Sequence, residues 1–410
     1  MGDSAAIMKL EEELTRRLAR LQEQGLYRTL REVGSAQGPR LTLGNRTVLN
    51  FGSNDYLGLA GDPRVKEAAA EAARHWGAGS GASRLVCGNL EPHVRLERAL
   101  AEFKQTEAAL TFSSGYTTAV GTLCALAGKD DIVILDKRAH ACLVDGARLS
   151  GARLRVFAHN DLEDLEHILK WAADVRARRV QAGTAPPVIL IVTESVFSMD
   201  GDTAPLRKIA GLKDAYDAWL LVDEAHATGL LGPAGAGLAA ELDAHARIEV
   251  LMGTLGKALG SAGGFICGSR TLIDYLVNRA RSFIFSTAPV PAAAAAAAAA
   301  LELVRGPEGE ELRLRLKQRV SQFQAALGRP NLEIPTAIVP LVLGPAEEAM
   351  RAAAELLEAG IYVPAIRYPA VARGAARLRI TLSAAHSAED VGQLAAAIRR
   401  LQLQPAGDGS

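Results

Sequence analysis

The 410-residue chain is 49% hydrophobic and 22% charged, a globular composition that excludes an intrinsically disordered protein. Lys plus Arg and Asp plus Glu balance at 46 each, so no global field draws in nucleic acid or an anionic membrane. At roughly 150 residues per domain the length predicts about two to three domains.

The amphipathic spacing of Ile7, Leu10, Leu14, Leu18 and Leu21 predicts a helix over 7–24, docked on its own body or on a partner subunit. Met1 to Leu10 lacks an apolar h-region. The four cysteines, Cys87, Cys124, Cys142 and Cys267, form no C-x-x-C pair. Together these predict reduced, mostly buried thiols in a cytoplasmic protein. Val48 to Phe51 reads as a short strand before the turn-rich Gly52 to Asp55.

From about residue 60 to 290, helical stretches alternate with short apolar runs. The runs are Ala108–Phe112, Ile132–Leu135, Val188–Val192, Trp219–Val222, Val250–Met252 and Phe265–Cys267. Continuous Val/Ile/Leu runs predict strands buried on both faces, hence a mostly parallel α/β sheet. Polar residues stand where the strands end, at Asp136, Glu194 and Asp223, and open sheets of this kind bind ligands there. The run from Pro291 to Ala300 is too short to span a bilayer and reads as a buried alanine-rich helix. Beyond it, a helix over Glu302–Leu327 precedes a smaller unit. Its expected elements are Pro335–Leu343, Ala352–Ala359, Ile361–Ile366, Arg377–Leu382 and Glu389–Leu401, with a frayed tail over 404–410. The expected division is an N-terminal segment 1–55, a large domain 56–296 and a small C-terminal α/β domain 297–410.

Lys257 follows an apolar strand inside the glycine-rich stretch Gly253 to Gly264. Glycine allows close backbone approach, and a desolvated lysine has the lowered pKa a nucleophilic amine needs. A P-loop is excluded, because Leu251 stands where its first glycine belongs and Ala258 follows the lysine. Read locally, an ordinary structural lysine remains open. Asp223 ends an apolar strand, with His226 three residues on. A buried carboxylate there can keep a cofactor ring nitrogen protonated; equally it can cap a helix beside a core histidine. No further ligands at metal spacing accompany the pair, so no metal is expected. Ser113-Ser114-Gly115-Tyr116 opens a helical stretch, as a phosphate cradle or as a plain N-cap. Gly77 to Ser83 lacks the spacing of a dinucleotide fingerprint. The order of the Gly115 turn, His140, Asp223 and Lys257 is the one expected of fold-type I pyridoxal-phosphate enzymes.

Several ordered blocks carry a closer resemblance. They are Ser53-Asn-Asp-Tyr-Leu-Gly-Leu59, Phe157-Ala-His-Asn-Asp161, Thr193-Glu-Ser-Val-Phe-Ser-Met-Asp-Gly-Asp202, Val222-Asp-Glu-Ala-His-Ala-Thr-Gly229, Gly253-Thr-Leu-Gly-Lys257 and Ala376 to His386. Through them nearly the whole chain resembles the α-oxoamine synthases, fold-type I enzymes that condense an amino acid with an acyl-CoA and lose CO2. The resemblance implies pyridoxal 5'-phosphate held as a Schiff base on Lys257. It implies that Asp223 pairs with the ring nitrogen, His140 stacks on the ring and His226 lies near the ring oxygen. Gly115, Tyr116, Ser198 and Thr254 would serve cofactor and phosphate. Ser286 and Thr287 would reach the phosphate of a partner subunit, which implies a homodimer with shared sites. Arg379 would bind the amino-acid carboxylate, with Asn54 and Arg28 on the substrate side. Within the family, Ala365-Ile-Arg367-Tyr-Pro-Ala-Val371 resembles the members that join L-alanine to a pimeloyl thioester in biotin synthesis. Two departures touch the acyl chain. Ala370 stands where a hydroxyl is common, and Ala82-Ser-Arg84 is shared with relatives that take other acyl chains. A glycine- or serine-using synthase is therefore the alternative, and the donor is CoA or an acyl carrier protein.

Overall fold

The computed structural model describes residues 2–329 and 333–403. The expected frayed tail, 404–410, and the Ile7 side chain lie outside the described part. Helix α1 (Gly2–Glu23) leads to β1 (Arg40–Leu43), β2 (Arg46–Asn50), α2 (Pro63–Trp76) and α3 (Glu91–Lys104). Next come β3 (Ala108–Phe112), α4 (Gly115–Leu126), β4 (Ile132–Asp136), α5 (Ala141–Leu149), β5 (Arg153–Phe157) and α6 (Leu162–Gln181). They are followed by β6 (Ile189–Glu194), α7 (Leu206–Ala215), β7 (Trp219–Asp223), α8 (Leu238–Glu241), β8 (Val250–Thr254) and β9 (Gly264–Gly268). Helices α9 (Arg270–Arg279), α10 (Arg281–Ile284), α11 (Pro291–Arg305) and α12 (Pro307–Ala326) lead to the last region. There lie β10 (Ile338–Gly344), α13 (Ala346–Glu358), β11 (Ile361–Tyr362), β12 (Ala365–Ile366), β13 (Ala376–Thr381) and α14 (Ala388–Arg400).

The central sheet has seven strands in the order β3-β9-β8-β7-β6-β4-β5. Strands β8, β7, β6, β4 and β5 run parallel, and β9 runs antiparallel to β3 and β8. Alternate residues of β6 explain the double cover. Ile189 and Ile191 enter one hydrophobic core, Leu190 and Val192 the other, so helices must pack on both faces. Each such side chain, fully buried, contributes about 1.5–3 kcal/mol of transfer free energy. The alanine-rich α11 packs on α2 and α3, and its Ala294, Ala297 and Ala300 are buried. Two three-stranded sheets complete the fold, β10-β13-β12 and β1-β2-β11.

Two expectations need correction, and for the stripe of α1 one of the two alternatives falls. Ile361–Ile366 is not one strand; it divides into β11 and β12 in different sheets. The break falls at Pro364, which has no N–H for a ladder and whose carbonyl accepts from Arg379 N. β5 was not anticipated, because Arg153 and Arg155 disguise an edge strand, with Arg155 lying 4.4 Å over the Trp171 ring. The stripe of α1 does not dock on its own chain: Leu10, Leu14, Leu18 and Leu21 stay exposed. Cys142 and Cys267 are buried and Cys87 is exposed. Among the described residues no helix is long and apolar enough to cross a membrane.

Candidate active site

The polar residues at the carboxyl ends of β4, β6, β7 and β8 converge, as they must where parallel strands end together. Glu194 and Asp223 occupy paired register positions on β6 and β7. Asp223 is 5% exposed; one of its oxygens accepts from Ala225 N at 2.9 Å. Burial raises its pKa, against the pull of the Lys257 charge. Burial, then the charge of Asp223, raises the Glu194 pKa much further. Of the two, Glu194 is pushed more strongly toward its protonated form. Glu194 Oε1 accepts from His140 N at 2.6 Å, which fixes the start of α5. The His140 side chain is exposed to solvent, and its Nδ1 lies 3.0 Å from Cys142 Sγ.

Lys257 sits three residues past β8 in a loop closed by Gly260 N to Lys257 O and Ser261 N to Leu255 O. Gly260, at φ 60°, passes so close to Ala60 that a Cβ would lie 2.4 Å from its nitrogen. Lys257 Nζ lies 2.7 Å from His226 Nε2. Burial lowers the lysine pKa to about 8, with Arg379 adding and Asp223 and Glu194 opposing. Burial likewise holds His226 well below the ordinary imidazole range.

Ser114 caps α4 by accepting from Thr117 N at 3.1 Å. The N–H groups of Gly115 and Tyr116, in the first turn, have no partner within the helix. The cap and the anion cradle are therefore one structure. Thr254 stands beside Gly115, where a Cβ would lie 3.8 Å from its Cβ. Gly264 admits no side chain, since a Cβ would come within 2.8 Å of Gly115 Cα.

Opposite, β13 presents Arg379, 5% exposed. Its Nε donates to Ser198 O at 2.6 Å and its Nη1 to Asn54 Oδ1 at 3.1 Å. Arg377 donates to Met199 O and Asp200, and Thr336 donates to Gly201 O. The loop 196–203 is thus tied to β13 and to the start of β10. On its other side, His159 bridges Asp136 at 3.0 Å and Asp202 at 2.7 Å. Burial opposes charging of His159, but the two carboxylates prevail and raise its pKa to about 9.

Lys257, Asp223, His226, His140, Gly115, Thr254, Asn54, Ser198 and Arg379 thus lie around one cleft. The rest do not join them within this chain. Tyr116 turns its hydroxyl to Asp145. Arg28 is exposed and makes no hydrogen bond or ion pair among the described residues. Thr287 is exposed and pairs with Ser83, with Ser286 beside it. Ala370 is exposed in the turn after β12. Arg84 is 7% exposed and committed to Glu97, Thr111 and Asn89, so it braces the chain and does not select an acyl group. Sequence reasoning left Tyr56 and Glu194 out of the site. The signals were Tyr56 inside the Ser53 to Leu59 block and Glu194 at a strand end.

The residues fit pyridoxal phosphate. A lysine of lowered pKa suits its aldehyde, and a buried Asp223, one of whose oxygens has no hydrogen bond among the described residues, suits its ring nitrogen. The start of α4 suits its phosphate. A family model described as aminotransferase class I and II matches residues 46–398. An 8-amino-7-oxononanoate synthase of Geobacter sulfurreducens is 47% identical, over 94% of this chain and 96% of the relative. Another, from Anaeromyxobacter dehalogenans, is 50% identical over 95% and 96%. Among solved structures, a serine palmitoyltransferase of S. paucimobilis with bound PLP superposes at a TM-score of 0.85. It is 29% identical and covers 96% of this chain and 99% of its own. An 8-amino-7-oxononanoate synthase from Francisella tularensis gives 0.70 at 28% identity, covering 87% and 98%. The chain belongs to the class I and II aminotransferase family of pyridoxal-phosphate enzymes, and within it to the 8-amino-7-oxononanoate synthases.

Proposed function

We propose that the protein condenses L-alanine with a pimeloyl thioester, on CoA or on an acyl carrier protein, with loss of CO2, to give 8-amino-7-oxononanoate for biotin synthesis. The observation that carries this reading is the placing of Arg379 and Lys257 around one cleft, near enough for the guanidinium to depress the amine pKa. One suits a carboxylate, the other an α-proton. When bound, pyridoxal phosphate supplies the electron sink for the charge left at the α-carbon. Lys257 would hold the cofactor through Nζ, and the same amine would take the α-proton of the amino acid. Asp223 would keep the cofactor's ring nitrogen protonated, and His140 would cover the ring. The N–H groups of Gly115 and Tyr116, with Thr254 and Ser198, hold the phosphate end. Arg379 grips the amino-acid carboxylate until CO2 departs, and Asn54 steadies that guanidinium.

The partner is a second copy of the chain. Ser286 and Thr287 stand among the exposed apolar residues Leu85, Val86, Phe285 and Val290, a surface suited to another protomer. Arg28 is carried by the same N-terminal region as the uncovered leucines of α1. The chain is read as segment 1–55, large domain 56–296 and small domain 297–410, acting in the cytoplasm.

A competition assay across amino acids and acyl thioesters tests the reading. L-Alanine with a pimeloyl thioester should exceed glycine with acetyl-CoA by about 100-fold in kcat/KM. The reverse order would transfer the chain to the glycine-using synthases.

A further inference from the structure

One hydrogen-bond chain runs from Arg379 through Asn54, Tyr56 and His226 to Lys257. Arg379 can only donate, so its Nη1 gives a proton to Asn54 at 3.1 Å, and the facing Asn54 atom is the carbonyl Oδ1. Tyr56 Oη lies 3.2 Å from that same oxygen. Oδ1 accepts and never donates, so this contact is a hydrogen bond only with the single hydroxyl proton turned to it. Arg379 also reaches Tyr56 Oη, which can accept from it; with the hydroxyl proton turned to Asn54, His226 Nδ1, at 2.6 Å, pairs with that oxygen as the donor. Burial keeps His226 neutral, so it carries one N–H only. With that proton on Nδ1, Nε2 is a bare lone pair, and Nε2 is the atom 2.7 Å from Lys257 Nζ. Tyr56 is wholly buried, and burial also raises its own pKa, so the hydroxyl stays protonated.

We propose that Tyr56 is a positioning residue that holds His226 in its Nδ1–H form and so presents a bare Nε2 to Lys257. The inference rests on the reading of Lys257 as the amine that takes up the cofactor. An ammonium must lose a proton before it attacks an aldehyde, and Nε2 accepts that proton. The product is an imidazolium that donates to Tyr56 Oη from Nδ1 while the amine becomes neutral. Before the transfer, the Nε2 lone pair favours the ammonium form. Without the hydroxyl, the proton of His226 is free to sit on Nε2, where it favours the neutral amine instead. Other groups face Lys257 as well: Asp223 and Glu194 from the strand ends, Arg379 from β13, and Cys142 and His140 from α5 and its cap. None of them changes in the substitution Tyr56→Phe.

The test follows the rate at which the cofactor-free, full-length protein takes up pyridoxal phosphate, read by absorbance from pH 6 to 10 (about the span over which such an amine titrates). The rate should rise with pH as Lys257 deprotonates. Tyr56→Phe should move the midpoint down by about one pH unit and leave the high-pH plateau within about twofold. An unmoved midpoint overturns the proposal, and so does a uniform loss of rate at every pH with the midpoint intact. Should Tyr56→Phe not fold, nitrogen NMR of histidine-labelled wild-type protein decides. The resonances of His226, identified by their loss in His226→Asn, must show a protonated Nδ1 and a bare Nε2, and the opposite tautomer overturns the proposal. Failure of the wild-type protein to take up the cofactor on Lys257 would instead sink the functional reading.

Discussion

Lys104 and Lys257 are both drawn into the protein, and their surroundings differ in one respect. Lys104 is 1% exposed and gives its three ammonium protons to Glu224 at 2.8 Å, Thr228 at 2.9 Å and Ala236 O at 2.7 Å. Among the described residues Lys257 has one hydrogen-bond partner, a neutral imidazole, and no carboxylate within ion-pair distance. Full satisfaction makes Lys104 a brace for the loop that carries His226. Burial without such a set of acceptors lowers the Lys257 pKa to about 8, and the amine can do chemistry. A buried lysine is read by its acceptors, not by its depth.

Exchanging or removing either lysine should separate the two roles. Lys257→Ala should lower turnover by at least about 1,000-fold while the melting temperature holds, measured by product formation and calorimetry. Retained activity without added amine would remove Lys257 from the chemistry. Lys104→Met strands the Glu224 charge and should cost about 3–5 kcal/mol in denaturant unfolding, with the cofactor-loaded fraction falling only as folding fails. If Lys104→Met instead kept its stability and lost only turnover, the contrast between the two lysines would collapse. Arg379→Lys keeps a cation but loses the guanidinium fork, so KM for the amino acid should rise about 10- to 100-fold with a smaller change in kcat. An equal fall in kcat at constant KM would move Arg379 from binding to catalysis.

The smallest effect concerns His159. Its folded pKa, about 9, lies above the ordinary 6.5, so its clamp stabilises fully below pH 6.5 and is lost as pH rises through about 9. The melting temperature should fall over that window, and His159→Gln should flatten the fall. An unchanged slope in the variant would show that the clamp adds nothing.

Much of this was legible in the chain. β4, β6, β7 and β8 announced themselves as apolar runs, because strands buried on both faces have no polar side to hide them. Lys257, Asp223 and Arg379 stood in blocks whose spacing carried the family resemblance. What stayed hidden depended on partners far away in sequence. Tyr56 gains its meaning only when folding brings it to His226, 170 residues on. The role of Arg84 as a brace showed only when the fold paired it with Glu97. β5 was obscured by two arginines that suit an edge, and β11 and β12 by a proline that breaks what composition joins.

The loop 196–203 holds its neighbours chiefly through main-chain carbonyls: Ser198 O for Arg379, Met199 O for Arg377 and Gly201 O for Thr336. Carbonyls belong to every amino acid alike, so most changes of letter in this segment leave those three attachments intact. Its length is another matter. One residue added or removed would move every carbonyl out of register with β13 at once. Over evolutionary time the segment should therefore tolerate many spellings but only one length.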